Sequence, residues 1–286
     1  MPLSQRSAVL FWFLAASLQM GVGCDQSDSL PPEKSEVLGE VVAVDSEGRP
    51  WRQGPQIKLQ WPDDPRLDIA REFLRNHQYV QAEVILRTVL GENASIGRAR
   101  MLLGITVQKQ KRYAAALELL DEAIATGQPF PEAAHGEHFR GWCLYHLGHP
   151  KEAQTAFKAH VQAFPNEGDS HFGLGVIALE AGDLDAAQER LEHAIELQAP
   201  LPGRQREVAK AHARLGDVHF ARSDLDVARE SYHTAVIRWP DHYEAWAKLA
   251  RVLDRLDRSD EAERARVEYE HALERSGRAV VKDGTP

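Results

Sequence analysis

The chain contains 286 residues, of which 43% are hydrophobic and 27% charged, close to the average for folded globular proteins. This balance excludes a wholly disordered chain, and the formal net charge of −9 argues against a general basic surface for nucleic-acid phosphates. The two cysteines, Cys24 and Cys143, exclude both a disulfide-rich scaffold and a four-cysteine zinc site.

Residues 1–23 have the layout of a signal peptide. Arg6 precedes an apolar stretch from Ala8 to Leu18, and the small residues Gly21 and Gly23 follow it. Three interpretations stay open: lipidation after cleavage, ordinary secretion, and an uncleaved anchor helix, for which the stretch falls short of the ~20 residues of a membrane span. The ending Gly-Val-Gly-Cys resembles a bacterial lipoprotein cleavage site.

This resemblance implies that Cys24 is lipidated and becomes the first residue of the mature protein. We therefore expect an exported protein that is lipid-anchored in the bacterial cell envelope, with the inner and outer membranes both possible. Residues 24–62 then comprise the lipidated cysteine, a polar linker over 25–36 and a short segment. In that segment Val41, Val42 and Val44 predict a β-strand, which a turn at 46–48 could pair with a second strand.

Three columns of residues recur along the rest of the chain with the spacings 34, 37, 34, 41 and 34. The first column is Ala82, Ala116, Ala153, Ala187, Ala228 and Ala262. The second is Ala70, Gly104, Gly141, Gly175, Gly216 and Ala250. The third is large and mostly apolar: Leu86, Leu120, Phe157, Leu191, Tyr232 and Arg266.

Helix packing explains these columns. Small residues let two helices approach to ~8–10 Å, and a bulky residue four positions after the alanine fills the space beside that contact. Each unit is therefore predicted to be two antiparallel helices of about 13 residues joined by a tight turn. The predicted turns include Gly148-His149, Gly182-Asp183 and Ser223-Asp224, and Pro165 and Pro240 are predicted to end second helices.

These features resemble the tetratricopeptide repeat family, with Leu103-Gly104, Leu174-Gly175 and Leu215-Gly216 as its Leu-Gly signature and Trp246 as its tryptophan. The resemblance implies an all-α, right-handed superhelical solenoid of about six helix hairpins over 63–276, with a disordered tail at 277–286. The repeats are 63–96, 97–130, 134–167, 168–201, 209–242 and 243–276. The extra residues 131–133 and 202–208 are expected to bulge between repeats, and the charged last helix is expected to cap the solenoid.

No catalytic constellation is apparent in the sequence, and we expect no enzymatic activity, cofactor or small-molecule substrate. The pattern Gly173-Leu-Gly175-Val-Ile-Ala178 fits a dinucleotide-binding motif but is predicted to lie inside a helix rather than after a strand. Cys143 is expected to be a buried small residue. His135 and His138 could supply two ligands of a surface metal site, but solvated or groove-facing histidines are the simpler interpretation, and no metal site is assigned.

In the resembled family the first helices of successive repeats line a concave groove that holds a partner segment. In the third repeat, spacings of 3 and 4 place His135, His138, Trp142, Tyr145 and His149 on one stripe, with His146 beside it. Packing of Trp142 and Tyr145 against the next repeat is the alternative. The predicted groove residues are Arg71, Arg75, Met101, His135, His138, Trp142, Tyr145, His146, Phe172, Val176, Leu179, Phe220, Arg251 and Arg255.

The sequence thus favours a non-enzymatic scaffold or adaptor in the bacterial envelope. Its expected partners are another protein, held as a peptide or helix in the groove, and the membrane, reached through the lipid; no nucleic-acid partner is expected. A histidine-rich accessory protein that handles metal or haem is the alternative.

Overall fold

The computed structural model describes residues 41–44, 50–52 and 64–277, the first two ranges as backbone only. The chain divides into two compact units, Met1–Trp61 and Pro62–Pro286, which are described separately. The predicted signal peptide, Cys24, the linker at 25–36, the turn at 46–48 and the tail from residue 278 lie outside the described residues.

The first unit contains a two-stranded antiparallel ribbon. Strand β1 (Val41–Val44) pairs with β2 (Pro50–Arg52), and Val41 lies opposite Arg52 while Val44 lies opposite Pro50. The register shifts between Val41 and Ala43, where the pairing is irregular. The valine-rich strand and its return as a ribbon are therefore present as predicted.

In the second unit, the described part of the chain is all-helical and forms six consecutive helix hairpins. Each odd-numbered helix packs on the even-numbered helix that follows it, which confirms the predicted solenoid of six units. The helices are α1 (Arg66–Arg75), α2 (Tyr79–Glu92), α3 (Gly97–Lys109), α4 (Tyr113–Ala125), α5 (Gly136–His146), α6 (Pro150–Ala163), α7 (Gly168–Glu180), α8 (Leu184–Gln198), α9 (Gln205–Ala221), α10 (Leu225–Arg238), α11 (Tyr243–Arg255) and α12 (Ser259–Arg275).

The small and bulky columns meet inside the four hairpins whose small residue is a glycine. A Cβ atom added at Gly104 would lie 2.9 Å from Leu120, and one added at Gly175 would lie 2.8 Å from Leu191. The same relationship joins Gly216 to Tyr232 at 2.6 Å. Because real Cβ atoms do not approach other atoms this closely, the glycines set the distance between the paired helices.

A residue with positive φ stands in the turn of every hairpin, at the same 34, 37, 34, 41 and 34 spacing as the columns. The predicted turns at Gly148, Gly182 and Ser223 are present, with φ of 81°, 79° and 69°. Left-handed residues satisfy the carbonyls at the end of a helix: after α5, Gly148 N–H donates to Tyr145 and His149 N–H donates to Leu144. The other three are His77, Lys111 and Asp257, which the sequence analysis missed because glycine and serine are absent there.

The two predicted bulges are only partly present: residues 131–133 are helical, whereas 202–204 form a turn with Gly203 at a φ of 78° and 205–208 are helical. Residues 131–135 form a 3₁₀ turn that leads into α5, and α9 begins at Gln205, four residues before the predicted repeat boundary. The extension of α9 is stable because Val208 is buried and continues the apolar face of that helix. As predicted, α6 and α10 end two residues before Pro165 and Pro240.

The last helix, α12, has the polar surface expected of a cap. Arg266 occupies the bulky column, is exposed, and pairs with Asp254 at 2.5 Å and Glu263 at 3.0 Å. A charged side chain here replaces the large residue that is apolar or aromatic at this position in the other five repeats. Among the described helices, we find none whose length and apolar content suit a membrane crossing.

Candidate partner-binding groove

The first helices of successive repeats, α1, α3, α5, α7 and α9, also contact one another side by side and form one continuous face, here called the first-helix face. Side chains from distant repeats influence one another along this face. Burial lowers the pKa of Lys109 on α3, and Lys210 of α9 lowers it further, whereas Asp169 and Glu207 oppose the shift.

A strip of ring contacts runs from the start of α4 across the middle of the first-helix face. Tyr113 stacks on His146 with ring centroids 4.2 Å apart, and Trp142 lies 6.1 Å from His146 and 5.6 Å from Tyr145. Trp142 continues to Phe172 of the next repeat at 5.9 Å. These five residues, Tyr113, Trp142, Tyr145, His146 and Phe172, are here called the aromatic strip.

Trp142 and Tyr145 both pack within the protein and present surface to the groove, so the two interpretations of these residues are compatible. The Trp142 ring packs 5.2 Å from the buried Phe157, so part of its surface belongs to the core, but both Trp142 and Tyr145 remain half-buried and reach solvent. Tyr145 donates its hydroxyl hydrogen bond to Glu180, and burial raises the pKa of that hydroxyl to about 12. The strip is thus anchored from behind and accessible from the groove.

Two predicted groove histidines belong instead to a hydrogen-bonded chain between the third and fourth repeats. His135 Nδ1 lies 3.0 Å from His160 Nε2, and Ser170 Oγ lies 2.9 Å from both His160 Nδ1 and His138 Nδ1. Neutral rings satisfy all of these contacts, with the serine hydroxyl donating to one ring and accepting from the other. Burial, reinforced by neighbouring positive charge, lowers the pKa of His138 to about 3 and that of His160 to about 4.

His135 also lies in the 3₁₀ turn rather than on α5, and His149 caps the start of α6. The predicted stripe of five residues on one helix is therefore wrong at both ends. Within the residues that the structure describes, no three His, Cys, Asp or Glu side chains are grouped as a metal site.

Two apolar residues of the predicted groove are core residues. Met101 is 0% exposed and Val176 is 3% exposed, so neither offers surface to a partner in this conformation. Their helices, α3 and α7, are buried around most of their circumference because each is packed between neighbouring repeats. Leu179 and Phe172 are half-buried and pack against a separate core cluster that contains Leu191.

The basic residues at the first end of the solenoid are engaged within the protein. Arg71 pairs with Asp68 at 2.9 Å and approaches Glu132 at 3.8 Å, and Arg75 pairs with Glu72 at 3.5 Å. Glu132 also binds the buried Arg98 at 3.0 Å. Arg71 thus belongs to an ion-pair network that joins the first two repeats to the 3₁₀ turn before the third.

The basic residues at the other end, Arg251 and Arg255, lie against Phe220. These three residues are here called the two-arginine site. The guanidinium carbons of Arg251 and Arg255 each lie 5.0 Å from the centroid of the Phe220 ring. Both arginines are exposed, and neither has a carboxylate within ion-pair distance among residues 64–277. Cation–π contact with Phe220 holds them in place without neutralising their charge.

The remaining chemical candidates of the sequence have structural roles. Cys143 is buried, and burial raises the pKa of its thiol to about 12, so it stays protonated at neutral pH. The glycines of the dinucleotide-like pattern lie inside α7, where Gly173 packs on Phe157 and Gly175 packs on Leu191. Outside the groove, a depression of about 690 Å³ between α10, α11 and α12 is lined by Trp246, Leu253 and Val267 among others.

Comparison with known proteins was informative at the level of family and fold. The tetratricopeptide repeat family model matches residues 67–134, 140–202 and 213–267. No curated protein sequence gave a match. A chain of the APC/C hetero-tetramer Cut9–Hcn1 is similar with a TM-score of 0.65 and 16% identity; the match covers 72% of this chain and 39% of that chain.

Two bacterial structures match over most of their own length. Pseudomonas aeruginosa PilF has a TM-score of 0.57 and 19% identity, with 78% of this chain and 92% of that chain covered. The thermophilic protein TTC0263 from Thermus thermophilus has a TM-score of 0.52 and 19% identity, with 66% of this chain and 97% of that chain covered. At these identities the similarity shows a shared fold.

Proposed function

The chain belongs to the tetratricopeptide repeat family, and on this premise we propose that it is a non-catalytic protein-interaction scaffold of the bacterial cell envelope. A lipid on Cys24 anchors it, and a segment of a partner protein lies along the first-helix face. The partner contacts the aromatic strip in the middle of that face.

The observation that carries this proposal is the aromatic strip itself. Five ring-bearing residues from three successive repeats contact one another, and each of them keeps solvent-accessible surface. Rigid aromatic side chains that are held from behind lose little entropy when a ligand covers them, and they are enriched among the residues that dominate binding energy. A concave face extends their contact with an elongated segment.

The envelope location rests on the sequence of residues 1–24. A charged start, an apolar stretch and a small-residue ending before Cys24 together form an export signal of lipoprotein type. Lipid attachment would leave the mature chain with Cys143 as its one thiol, which is compatible with an oxidising compartment because that thiol is buried and protonated.

Affinity capture tests the proposal. The full chain, purified in detergent, serves as bait for solubilised envelope from the same organism, and retained proteins are identified by mass spectrometry. The groove variant is Tyr145→Ala with His146→Ala, which removes accessible rings but leaves Trp142 in the core. The matched control is Val84→Ala with Ile237→Ala, two exposed apolar residues on the second helices α2 and α10.

A partner retained by the wild type and the control but lost from the groove variant supports the proposal, provided that circular dichroism shows equal helicity and thermal stability. Equal retention by wild type and groove variant, together with loss from the control, would assign binding to the second helices. No specific retention by any of the three baits would contradict the scaffold function.

A further inference from the structure

The two-arginine site lies where α11 meets the end of the first-helix face at α9. Arg251 and Arg255 are one helical turn apart on α11, and both guanidinium groups rest on the Phe220 ring of α9. Since each guanidinium carbon lies 5.0 Å from the same centroid, the two carbons are separated by at most twice that distance.

The carboxylates near this site already have partners. Asp217 accepts hydrogen bonds from the Tyr232 hydroxyl at 2.7 Å, Lys248 at 2.7 Å and Arg214 at 3.2 Å. Asp254, which lies between the two arginines in sequence, pairs with Arg266 of α12. Asp217 is thus paired with Arg214 and Lys248, and Arg251 and Arg255 have no carboxylate within ion-pair distance among residues 64–277.

This local excess of positive charge contrasts with the chain as a whole, whose formal net charge is −9. A basic patch in an acidic protein attracts anions and repels the protein's own acidic surfaces, so it directs which segment docks and in which orientation.

We propose that the two-arginine site binds a pair of carboxylate side chains from an acidic stretch of the partner segment. This inference rests on the groove function proposed above and adds the chemical class of the partner. Carboxylates two residues apart on an extended strand are separated by about 7 Å, which lies within the span that Phe220 sets for the two guanidinium groups. Each guanidinium offers a planar fork that matches one carboxylate.

Two observations favour carboxylates on a peptide over other anions. The arginines lie in the last turns of α11, where the backbone offers carbonyls rather than the N–H donors with which a helix N-terminus binds phosphate. The concave first-helix face also suits a narrow chain better than the flat surface of an anionic membrane.

Peptide binding tests this inference. The full chain is held in phosphatidylcholine nanodiscs, and binding of short fluorescein-labelled peptide pools is followed by fluorescence anisotropy. The pools share randomised apolar and aromatic positions and differ at one pair of positions two residues apart, which is Glu/Glu, Gln/Gln, Lys/Lys or phosphoserine/phosphoserine. The variants are Arg251→Ala with Arg255→Ala, and Arg251→Glu with Arg255→Glu. The charge-matched control is Arg87→Ala with Arg264→Ala, two exposed arginines on α2 and α12.

We expect the wild type and the control to bind the Glu/Glu pool roughly tenfold more tightly than the Gln/Gln pool. The double alanine variant should lose this preference, and the double glutamate variant should prefer the Lys/Lys pool. A wild type that binds Glu/Glu and Gln/Gln equally would overturn the inference. So would a preference for phosphoserine over Glu/Glu, or arginine-dependent binding to phosphatidylglycerol vesicles.

The two proposals can fail separately. The wild type could bind all pools equally and lose this binding in Tyr145→Ala with His146→Ala. That result would support the groove function and contradict the carboxylate inference. Binding of no pool by the wild type would contradict both.

Discussion

The ring of Phe157 lies so close to Gly141 that a Cβ atom on residue 141 would be 2.7 Å from it. Gly173 of the following repeat contacts the same ring, with a corresponding distance of 2.8 Å. The fully buried Phe157 is thus held between two glycines, one in its own repeat and one in the next. This contact unites the third and fourth repeats beneath the aromatic strip.

The first prediction follows from this contact. Gly141→Ala should lower the free energy of unfolding by about 1–2 kcal/mol, because overpacking outweighs the gain in helix propensity. Gly91→Ala is the matched control: Gly91 is an exposed glycine of α2 with no atom within 4 Å of its added Cβ, so this change should stabilise the protein by about 0.5–1 kcal/mol. Urea unfolding at equilibrium measures both. A stabilising effect at both positions would contradict the packing role of Gly141.

The turns of the hairpins give a second prediction. Lys111 has a φ of 64°, a conformation that is unfavourable for residues with a Cβ atom, and its side chain is exposed. Lys111→Gly should therefore raise the free energy of unfolding by about 0.5 kcal/mol, since the relief of strain exceeds the entropy that glycine gains when unfolded. Gly148→Ala, at a φ of 81°, should lower it by about 1 kcal/mol. Thermal unfolding of the two variants should give shifts of opposite sign.

The histidine chain between the third and fourth repeats makes stability depend on pH. The pKa of His160 is lowered to about 4 and that of His138 to about 3, below the ordinary value of 6.5. Between pH 6.5 and these values the unfolded chain binds more protons than the folded chain, so stability is complete above pH 6.5 and is lost as the pH falls. The loss is at most about 1.4 kcal/mol per pH unit for each histidine.

His160→Gln should make the decline of stability with falling pH shallower by up to about 1.4 kcal/mol per pH unit, the contribution of one histidine. His271→Gln, an exposed histidine on α12, is the matched control and should leave the slope unchanged. Urea midpoints measured between about pH 7 and 4 provide the test. An unaltered slope in His160→Gln would mean that His160 takes up no proton on unfolding, which would contradict this prediction.

The repeat architecture could be predicted from sequence because it depends on local packing. A small residue at Gly104, Gly141, Gly175 or Gly216 and a bulky partner later in the same hairpin meet across one short turn, and the constant spacing reveals both. The junctions could not be predicted equally well. Whether residues 202–208 bulge or extend a helix depends on whether Val208 finds an apolar surface to cover it.

The groove residues were predicted less well for a related physical reason. Helical spacing gives the direction of a side chain but not the depth at which neighbouring repeats cover it, so Met101 and Val176 were placed in the groove and are core. The partners of His138 and Arg71, Ser170 and Glu132, lie in other repeats, and spacing within one helix does not indicate them. Four members of the aromatic strip and all three residues of the two-arginine site were among the predicted groove residues, but Tyr113 was missed because it lies on the second helix α4.

The lipid anchor gives a fourth prediction. Cys24→Ser should abolish incorporation of a labelled fatty acid and release the protein from membranes, because a lipid chain contributes about 0.8 kcal/mol per buried CH₂ group. Cys143→Ala is the control, since this buried thiol is inaccessible to a lipid-transferring enzyme. Metabolic labelling followed by membrane sedimentation measures both effects. Continued labelling of Cys24→Ser would refute lipidation at this residue.

The most direct test of the central claim is site-specific photo-crosslinking in intact cells. Tyr145 on the first-helix face and Val84 on α2 are each replaced by p-benzoylphenylalanine, and crosslinked proteins are identified after irradiation. The groove function predicts a discrete crosslink to another protein from position 145 and none from position 84. Crosslinks from position 84 alone, or no crosslink at all, would contradict it.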